Sequence, residues 1–293
     1  MRRILLVLAI IFVPVAALGA VIAMGWIKPG QGSAFDYVVS VDLKSPDILA
    51  SLPRIDGPQD AARPLVVIDA GHGGRDPGAG SGVTREKDLT LAMARALRND
   101  LLRNGGIRVA LTRDDDRFLS LAERSAIARR MGADLFISIH ADSTEGQTGA
   151  VGASVYTLSA TGSSEVAERI AARENAADLI GGVPIRQQDD TVSAILVDLS
   201  QRRTQSKSEE FAQLILREAK GRVPFKEATF QSAAFAVLKS PELPSVLLES
   251  GFINNPADAA RLSSLEGQAA LAKVVGQAIR VYFARNSKAI VGL

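Results

Sequence analysis

The stretch LVVIDAGHGG, residues 65–74, decides the fold class of this chain. Residues 65–69 form a short apolar run of the buried-strand type, and the run ends in a glycine-rich turn that carries His72. A second run of this kind, residues 135–139, is followed directly by His140. In an open α/β sheet the loops beyond the carboxyl ends of the strands bind ligands, so both histidines occupy candidate site positions.

Strands and helices alternate around these two runs. Apolar residues at helical spacing predict helices over 87–104 and 119–131. The other expected elements are strands at 107–111, 153–158, 235–238 and 245–248, a polar and helical section from 163 to about 220, and closing helices. This alternation predicts a single α/β domain with a mixed, mostly parallel sheet flanked by helices.

Composition excludes several classes of protein and of site. The chain has 293 residues, of which 47% are hydrophobic, so it is too apolar to be disordered. It has no cysteine and only two histidines, which excludes disulfides, a thiol nucleophile and every cysteine-ligated zinc site. Arg2 and Arg3 account for the net charge of +2, so the rest of the chain carries no electrostatic signature of a nucleic-acid partner.

The first 63 residues are expected to precede the catalytic domain. Residues 4–27 carry no charged side chain and follow two arginines, which predicts that residues 1–27 are a signal peptide or an uncleaved membrane anchor. Either alternative predicts export of the rest of the chain. Prolines and glycines interrupt residues 28–63, which predicts a linker, and the catalytic domain is expected at 64–286.

The two histidines, His72 and His140, are placed to converge on one metal ion. Imidazole nitrogen is a good zinc ligand, and a catalytic zinc ion has three protein ligands and one open position. Glu86 starts the helix after the His72 turn and can supply the third ligand if the loop folds back. The alternative is that each histidine is an ordinary buried or surface residue and that Glu86 only stabilises a helix N-terminus.

Glu249 ends the predicted strand at 245–248 and is the candidate acid–base group. Metal-assisted hydrolysis needs a base that takes a proton from water and returns it to the leaving group. A carboxylate at the end of a buried strand is costly unless it has a partner, which favours a functional role. The alternative is an ordinary, solvated acid in a turn.

Several stretches of the chain together resemble a known enzyme family. They are residues 66–74, Asp76-Pro77-Gly78, Glu86-Lys87-Asp88, Thr112-Arg113, 133–142, 236–239 and 244–253. Their order and identity resemble the zinc-dependent N-acetylmuramoyl-L-alanine amidases of bacterial cell separation, the amidase type 3 family, over about Pro64 to Phe283.

The resemblance implies a site and a reaction. It implies that His72, Glu86 and His140 hold Zn²⁺ and that Glu249 is catalytic. The implied reaction is hydrolysis of the amide between the lactyl group of N-acetylmuramic acid and L-alanine in peptidoglycan. The implied location is the periplasm, where the enzyme would act in cell-wall remodelling and daughter-cell separation.

The same resemblance implies that residues 159–199 are a helical autoinhibitory insertion. In such relatives a glutamate from the insertion can occupy the open zinc position until a partner with a LytM-type domain displaces it. Residues 164–182 are predicted to form a helix with a glycine stop, and Glu174 is the predicted inhibitory ligand, with Glu168 and Asp178 as alternatives. Residues 191–199 would offer apolar surface to an activator. A solvated helix face without this role is the competing interpretation.

Two other functions remain open at the level of sequence. A zinc carboxypeptidase or endopeptidase acting on the stem peptide would need the same metal and the same glutamate. A catalytically inert, membrane-tethered wall-binding protein agrees less well with the sequence, because an inert relative has no chemical need for the complete set of His72, Glu86, His140 and Glu249.

Overall fold

A computed structural model describes residues 52–81, 84–143, 151–180, 182 and 194–288 of the protein. These residues all belong to one unit, Leu49–Leu293. The predicted signal peptide or anchor and the first part of the predicted linker lie outside the described residues. Within the described ranges, every helix is too short or too polar to serve as a membrane span.

Eight strands and seven α-helices make up the described part of the chain. The strands are β1 (Leu65–Ala70), β2 (Gly80–Ser81), β3 (Thr84–Arg85), β4 (Arg108–Leu111), β5 (Leu135–His140), β6 (Ser154–Leu158), β7 (Gln231–Ala233) and β8 (Ser245–Glu249). The helices are α1 (Glu86–Asn104), α2 (Leu121–Arg130), α3 (Glu165–Asn175), α4 (Ala177–Ile180), α5 (Ala194–Ala219), α6 (Pro256–Ser263) and α7 (Leu265–Lys288).

Six of the strands form one sheet in the order β4-β1-β5-β8-β6-β7. The pairs β1–β4, β1–β5, β5–β8 and β6–β7 are parallel, and β6 runs antiparallel to β8. The predicted fold class, a mixed and mostly parallel sheet flanked by helices, is therefore confirmed. Because β1, β5 and β8 are parallel neighbours, their carboxyl ends lie side by side at one edge of the sheet.

The sheet is buried on both faces, as parallel strands require. All six residues of β1 are buried, and its side chains alternate between two hydrophobic clusters. Val66 and Ile68 belong to the cluster that contains residues of α1, α5 and α7, whereas Leu65 and Val67 belong to the cluster on the α2 and α3 side. The continuous apolar run at 65–68 is explained by this double burial.

Two local signals set the boundaries of helices near the site. Gly105 and Gly106, with φ of 69° and 79°, follow the end of α1, and the Gly105 N–H donates to Leu101 O. Ser120 and Glu123 form a capping box at the start of α2.

The predicted strand at 235–238 is wrong. A 3₁₀ helix occupies Ala236–Leu238, and the strand of this region, β7, comes earlier, at Gln231–Ala233. Phe235, Val237 and Leu238 are buried in the structure. A four-residue apolar run has no periodicity that separates a buried strand from a buried helical turn, which explains the error.

The last part of the predicted linker pairs with the edge strand β4. Asp56 and Val109 exchange two main-chain hydrogen bonds, with N to O distances of 2.8 and 2.9 Å. The proposed domain limits at residues 28, 64 and 286 remain predictions.

Candidate metal centre

His72 follows β1 in a left-handed turn. Its φ is 58°, a conformation that residues other than glycine seldom adopt, and Gly73 and Gly74 beside it also have positive φ. Main-chain hydrogen bonds between Gly73 and Asp76 close the turn. The turn thereby points the imidazole back over the carboxyl edge of the sheet, where it is buried.

Asp76 orients the His72 ring. Its Oδ2 lies 2.8 Å from Nδ1 of His72, and its Oδ1 accepts a hydrogen bond from the Gly78 N–H at 3.1 Å. This contact suits an N–H donor at Nδ1, which would leave Nε2 as the ligand atom. Sequence reasoning assigned Asp76 no role of its own, although an acid four residues after a candidate ligand within the same turn is a usable signal.

His140 is the last residue of β5, next to the His72 turn. The two rings have centroids 4.9 Å apart and meet edge to face. Gly71 makes this approach possible, because a Cβ at position 71 would lie only 2.5 Å from Cε1 of His140. The glycine is therefore required by the close packing of the turn against the ring.

Glu86 begins α1 and lies beside both histidines. Its Oε2 is 3.1 Å from Nε2 of His72, and its Oε1 is 3.2 Å from Nδ1 of His140. Each oxygen also accepts a main-chain hydrogen bond of 2.8 Å, from Ala79 and Ala141 respectively. The short β2–β3 hairpin folds the loop back so that Glu86 reaches this position.

Glu174, from α3, is the fourth side chain at this point. Its Oε2 lies 2.8 Å from Nδ1 of His140 and 3.3 Å from Nε2 of His72. The two alternative acids of the insertion lie elsewhere: Glu168 accepts a hydrogen bond from the Gly162 N–H, and Asp178 accepts one from the Leu121 N–H at the start of α2. The structure thus brings Glu174, and neither alternative, to the histidines.

The four side chains have the composition and spacing of a metal site. One ligand atom from each of His72, Glu86, His140 and Glu174 lies within 4.8 Å of the others. His72 Nε2, His140 Nδ1 and Glu174 Oε2 are buried and make no hydrogen bond among the described residues. Buried polar atoms that contact one another without hydrogen bonds are costly, and two imidazoles with carboxylate oxygens are a ligand set that suits zinc. The residues fit the metal that the sequence predicts.

The site also contains more buried carboxylates than basic side chains that pair with them, which favours a bound cation. Glu86, Asp142, Glu174 and Glu249 are all buried. In the described part of the chain, Arg173 is the one arginine or lysine that forms an ion pair with any of them, contacting Asp142 and Glu174. Buried carboxylates in such excess over basic side chains are unstable unless protons or a bound cation compensate for them.

The raised pKa values of the two histidines indicate the same preference for positive charge. Burial alone would lower the pKa of His140, but Glu174 and Glu86 raise it to about 10. Burial opposes protonation of His72 as well, and Glu86 and Asp76 nevertheless hold its pKa well above the ordinary value. The site therefore favours positive charge at the atoms that would bind a metal.

Glu249, at the end of β8, pairs in register with His140 of β5. Its Oε2 accepts a hydrogen bond of 3.1 Å from the Asp142 N–H, and its Oε1 is buried with no hydrogen bond among the described residues. Burial, together with the nearby carboxylates of Asp142 and Glu174, raises the pKa of Glu249 well above its usual range. A buried carboxyl group with a raised pKa is a candidate acid–base group.

Two buried arginines, Arg113 and Arg124, hold the main chain of the His72 turn. Arg124 donates to the carbonyls of Ala70 and His72 at 2.7 and 2.8 Å. Arg113 donates to the carbonyls of Ala70 and Gly71 at 2.9 and 2.8 Å. These bonds keep the strained turn in the conformation that presents the His72 ring.

Asp69 neutralises part of this buried positive charge. It is completely buried in β1 and accepts hydrogen bonds from Thr112, Arg124 and Ser138 at 2.6, 3.0 and 2.8 Å. Sequence reasoning gave no role to Asp69 or to Arg124. A usable signal was the presence of an aspartate inside an apolar strand, because such an acid needs a buried basic partner.

Comparisons with known proteins identify the family of this chain. The model of the N-acetylmuramoyl-L-alanine amidase family matches residues 66–281. The chain is 41% identical to the amidase AmiA of Salmonella typhimurium over 221 residues, which are 75% of this chain and 76% of that protein. It is 38% identical to the amidase AmiC of Escherichia coli over 79% of this chain, and it spans 57% of that longer protein.

A solved structure has the same fold. The amidase AmiC2 of Nostoc punctiforme is 27% identical, with a TM-score of 0.52, over 75% of this chain and 97% of that one. The resemblance inferred from the sequence is confirmed by the family match and by these identities. The chain therefore belongs to the N-acetylmuramoyl-L-alanine amidase family.

Proposed function

We propose that this chain is a zinc-dependent hydrolase that cleaves the amide between N-acetylmuramic acid and L-alanine in peptidoglycan. The observation that carries the proposal is the buried cluster of two histidines and Glu86 with Glu249 beside it. His72 through Nε2, His140 through Nδ1 and Glu86 would hold the metal. Zinc bound by these residues would polarise the amide carbonyl and activate a water molecule for attack.

Glu249 is the group that moves the proton. It would take a proton from the attacking water and deliver it to the nitrogen of the departing amine, as a C–O bond forms and the C–N bond breaks. Two observations support this role: the Asp142 N–H holds one carboxylate oxygen, and the other oxygen is free of hydrogen bonds among the described residues. The raised pKa of Glu249 allows it to carry the proton between the two steps.

Glu174 would keep the enzyme inactive in the described conformation. A catalytic zinc ion needs an open position for water, and the Glu174 carboxylate, which lies against both histidines, would act as a fourth ligand in its place. Activation would then require α3 to move, and a partner with a LytM-type domain is the expected activator. Residues 191–199 are expected to receive the activator. Residues 191–193 lie outside the described residues, and residues 194–199 form the start of α5.

The proposed place of action is the periplasm, in cell-wall remodelling and daughter-cell separation. This part of the proposal rests on the apolar segment at residues 4–27 and on the family. Cleavage of the segment would release the enzyme, whereas retention would anchor it to the inner membrane.

Product analysis tests the function directly. Zinc-loaded Glu174→Ala protein is incubated with purified peptidoglycan sacculi, and the released material is analysed by mass spectrometry. We expect stem peptides with a free N-terminal L-alanine, and a chelator should abolish their release. Fragments cut within the stem would instead support a peptidase. Zinc binding without any product, in a variant that lacks the Glu174 carboxylate, would support a wall-binding protein.

A further inference from the structure

Asp142 is a buried acid on the wall of the site whose carboxylate has no part in the proton transfer described above. It follows His140 by two residues, and its side chain is only 1% exposed. Its main-chain N–H donates to Oε2 of Glu249, which places Asp142 next to the proposed acid–base group. Within the described residues, the ion pair of its carboxylate is with Arg173.

Arg173 precedes Glu174 on α3 and contacts the site together with it. One guanidinium nitrogen pairs with Asp142, another donates to the Ser143 carbonyl at 2.6 Å, and Nε lies 3.6 Å from Oε1 of Glu174. Adjacent residues of one helix thus bring a cationic N–H donor to Asp142 and a carboxylate to the histidines. Any movement of α3 that withdraws Glu174 also withdraws Arg173.

Without Arg173, the buried carboxylate of Asp142 would lack a basic partner. A buried carboxylate is costly in that state, so a substrate that enters the open site gains affinity by offering an N–H donor or a cation at this point. The scissile amide has its N–H next to the carbonyl that is attacked. In hydrolysis both protons of water end on that nitrogen, and the product is a carboxylate and a cationic ammonium group.

We propose that Asp142 binds the nitrogen of the scissile bond, accepting the amide N–H of the substrate and pairing with the new L-alanine ammonium group of the product. In the described conformation, Arg173 occupies the position proposed for the nitrogen of the substrate. Glu174 likewise occupies the proposed open position of the metal. The inference rests on the proposed function, because it assumes that the amide of L-alanine is the bond that is cleaved. It adds a substrate-binding residue to the metal ligands and to Glu249.

The first test compares two peptides that differ only at this nitrogen. The probes are the stem tetrapeptide with a free L-alanine amine and the same peptide acetylated at that amine. Their binding to zinc-loaded, full-length protein carrying Glu174→Ala is measured by calorimetry. We expect the free-amine peptide to bind about 10- to 100-fold more tightly, since hydrogen bonds to charged groups contribute that much.

Adding Asp142→Asn should remove the difference between the two peptides, and it should raise KM for muropeptides while zinc content stays the same. An unchanged preference for the free amine would overturn the inference. So would a lower kcat at unchanged KM accompanied by loss of zinc, because that result indicates a structural role.

Arg173→Ala, in the same Glu174→Ala background, is the second test and does not depend on how Asp142→Asn folds. Removal of the competing guanidinium should tighten binding of the free-amine peptide more than binding of the acetylated peptide, because the ammonium group is charged and the amide N–H is neutral. Arg169→Ala is the matched control, because Arg169 is an exposed arginine on the same helix. Equal effects of the two arginine variants would overturn the inference.

The two proposals fail in different ways. If zinc-loaded Glu174→Ala protein releases no L-alanyl peptide from sacculi, the proposed function fails, and the calorimetry still shows whether Asp142 binds an amine. If the peptides are released but Asp142→Asn keeps the preference for the free amine, the inference about Asp142 alone fails.

Discussion

Oε2 of Glu174 lies 2.8 Å from Nδ1 of His140, although one residue belongs to helix α3 and the other ends strand β5. Both side chains are almost completely buried. If Glu174 occupies the open metal position as proposed, the position of α3 determines activity.

Glu174→Ala should raise the rate of release of L-alanyl stem peptides from sacculi by about tenfold or more, because the competent state no longer has to displace a carboxylate. The rate is measured with zinc-loaded protein in the absence of a partner. Glu168→Ala is the control, since Glu168 lies on the same helix and is exposed. Equal rates for wild type and Glu174→Ala would show that the contact does not limit activity.

Glu249→Gln should lower kcat by about 10²- to 10⁴-fold, the usual contribution of a positioned acid–base group. The amide side chain has nearly the same shape but cannot accept and return a proton. Zinc content, measured by atomic emission on the purified variant, should stay at the wild-type level. A variant that loses zinc as well as activity would place Glu249 among the metal ligands.

Asp76→Asn should weaken zinc binding by about 10- to 100-fold, because the neutral amide is a poorer acceptor for Nδ1–H of His72 and leaves the ring less firmly oriented. A titration of the metal-free protein against a competing chelator gives the affinity. Asp88→Asn is the control, because Asp88 is exposed and pairs with Arg85 on the surface. If both variants bind zinc equally well, Asp76 does not orient the ligand.

Asp69→Asn should destabilise the metal-free protein by about 3–5 kcal/mol near neutral pH, since it leaves Arg124 without its buried partner. Burial raises the pKa of Asp69, but Arg124, Thr112 and Ser138 outweigh this and hold it below the ordinary value of 3.8. A carboxyl group whose pKa is lower in the folded state stabilises the fold above its unfolded pKa, and this contribution is lost as pH falls through the folded pKa.

The difference in Tm between wild type and Asp69→Asn should therefore be largest above about pH 4 and should narrow at lower pH. Thermal melts at a series of pH values provide the measurement. A difference that stays constant down to about pH 2.5 would mean that the ionised carboxylate is not the source of the stability.

Most of the site could be predicted from local sequence because parallel strands impose a simple rule. β1 and β5 are adjacent and parallel, so His140 at the carboxyl end of β5 and His72 just beyond that of β1 must lie close together. Glu249 ends β8, the next strand of the sheet, and is placed by the same rule. Apolar runs can be recognised in the sequence, and a residue at the end of such a strand therefore has a predictable position at the edge of the sheet.

The sequence alone thus determined the α/β alternation, the two histidines and the acids Glu86 and Glu249, because local periodicity and strand ends carry that information. Only the tertiary structure decided that Glu174 rather than Glu168 or Asp178 meets the histidines. The sequence offered Glu174 only as the first of three candidate acids, and the packing of α3 in the folded chain brings this one to the histidines. The same holds for Arg124 with Asp69, since contacts between residues distant along the chain leave no local pattern.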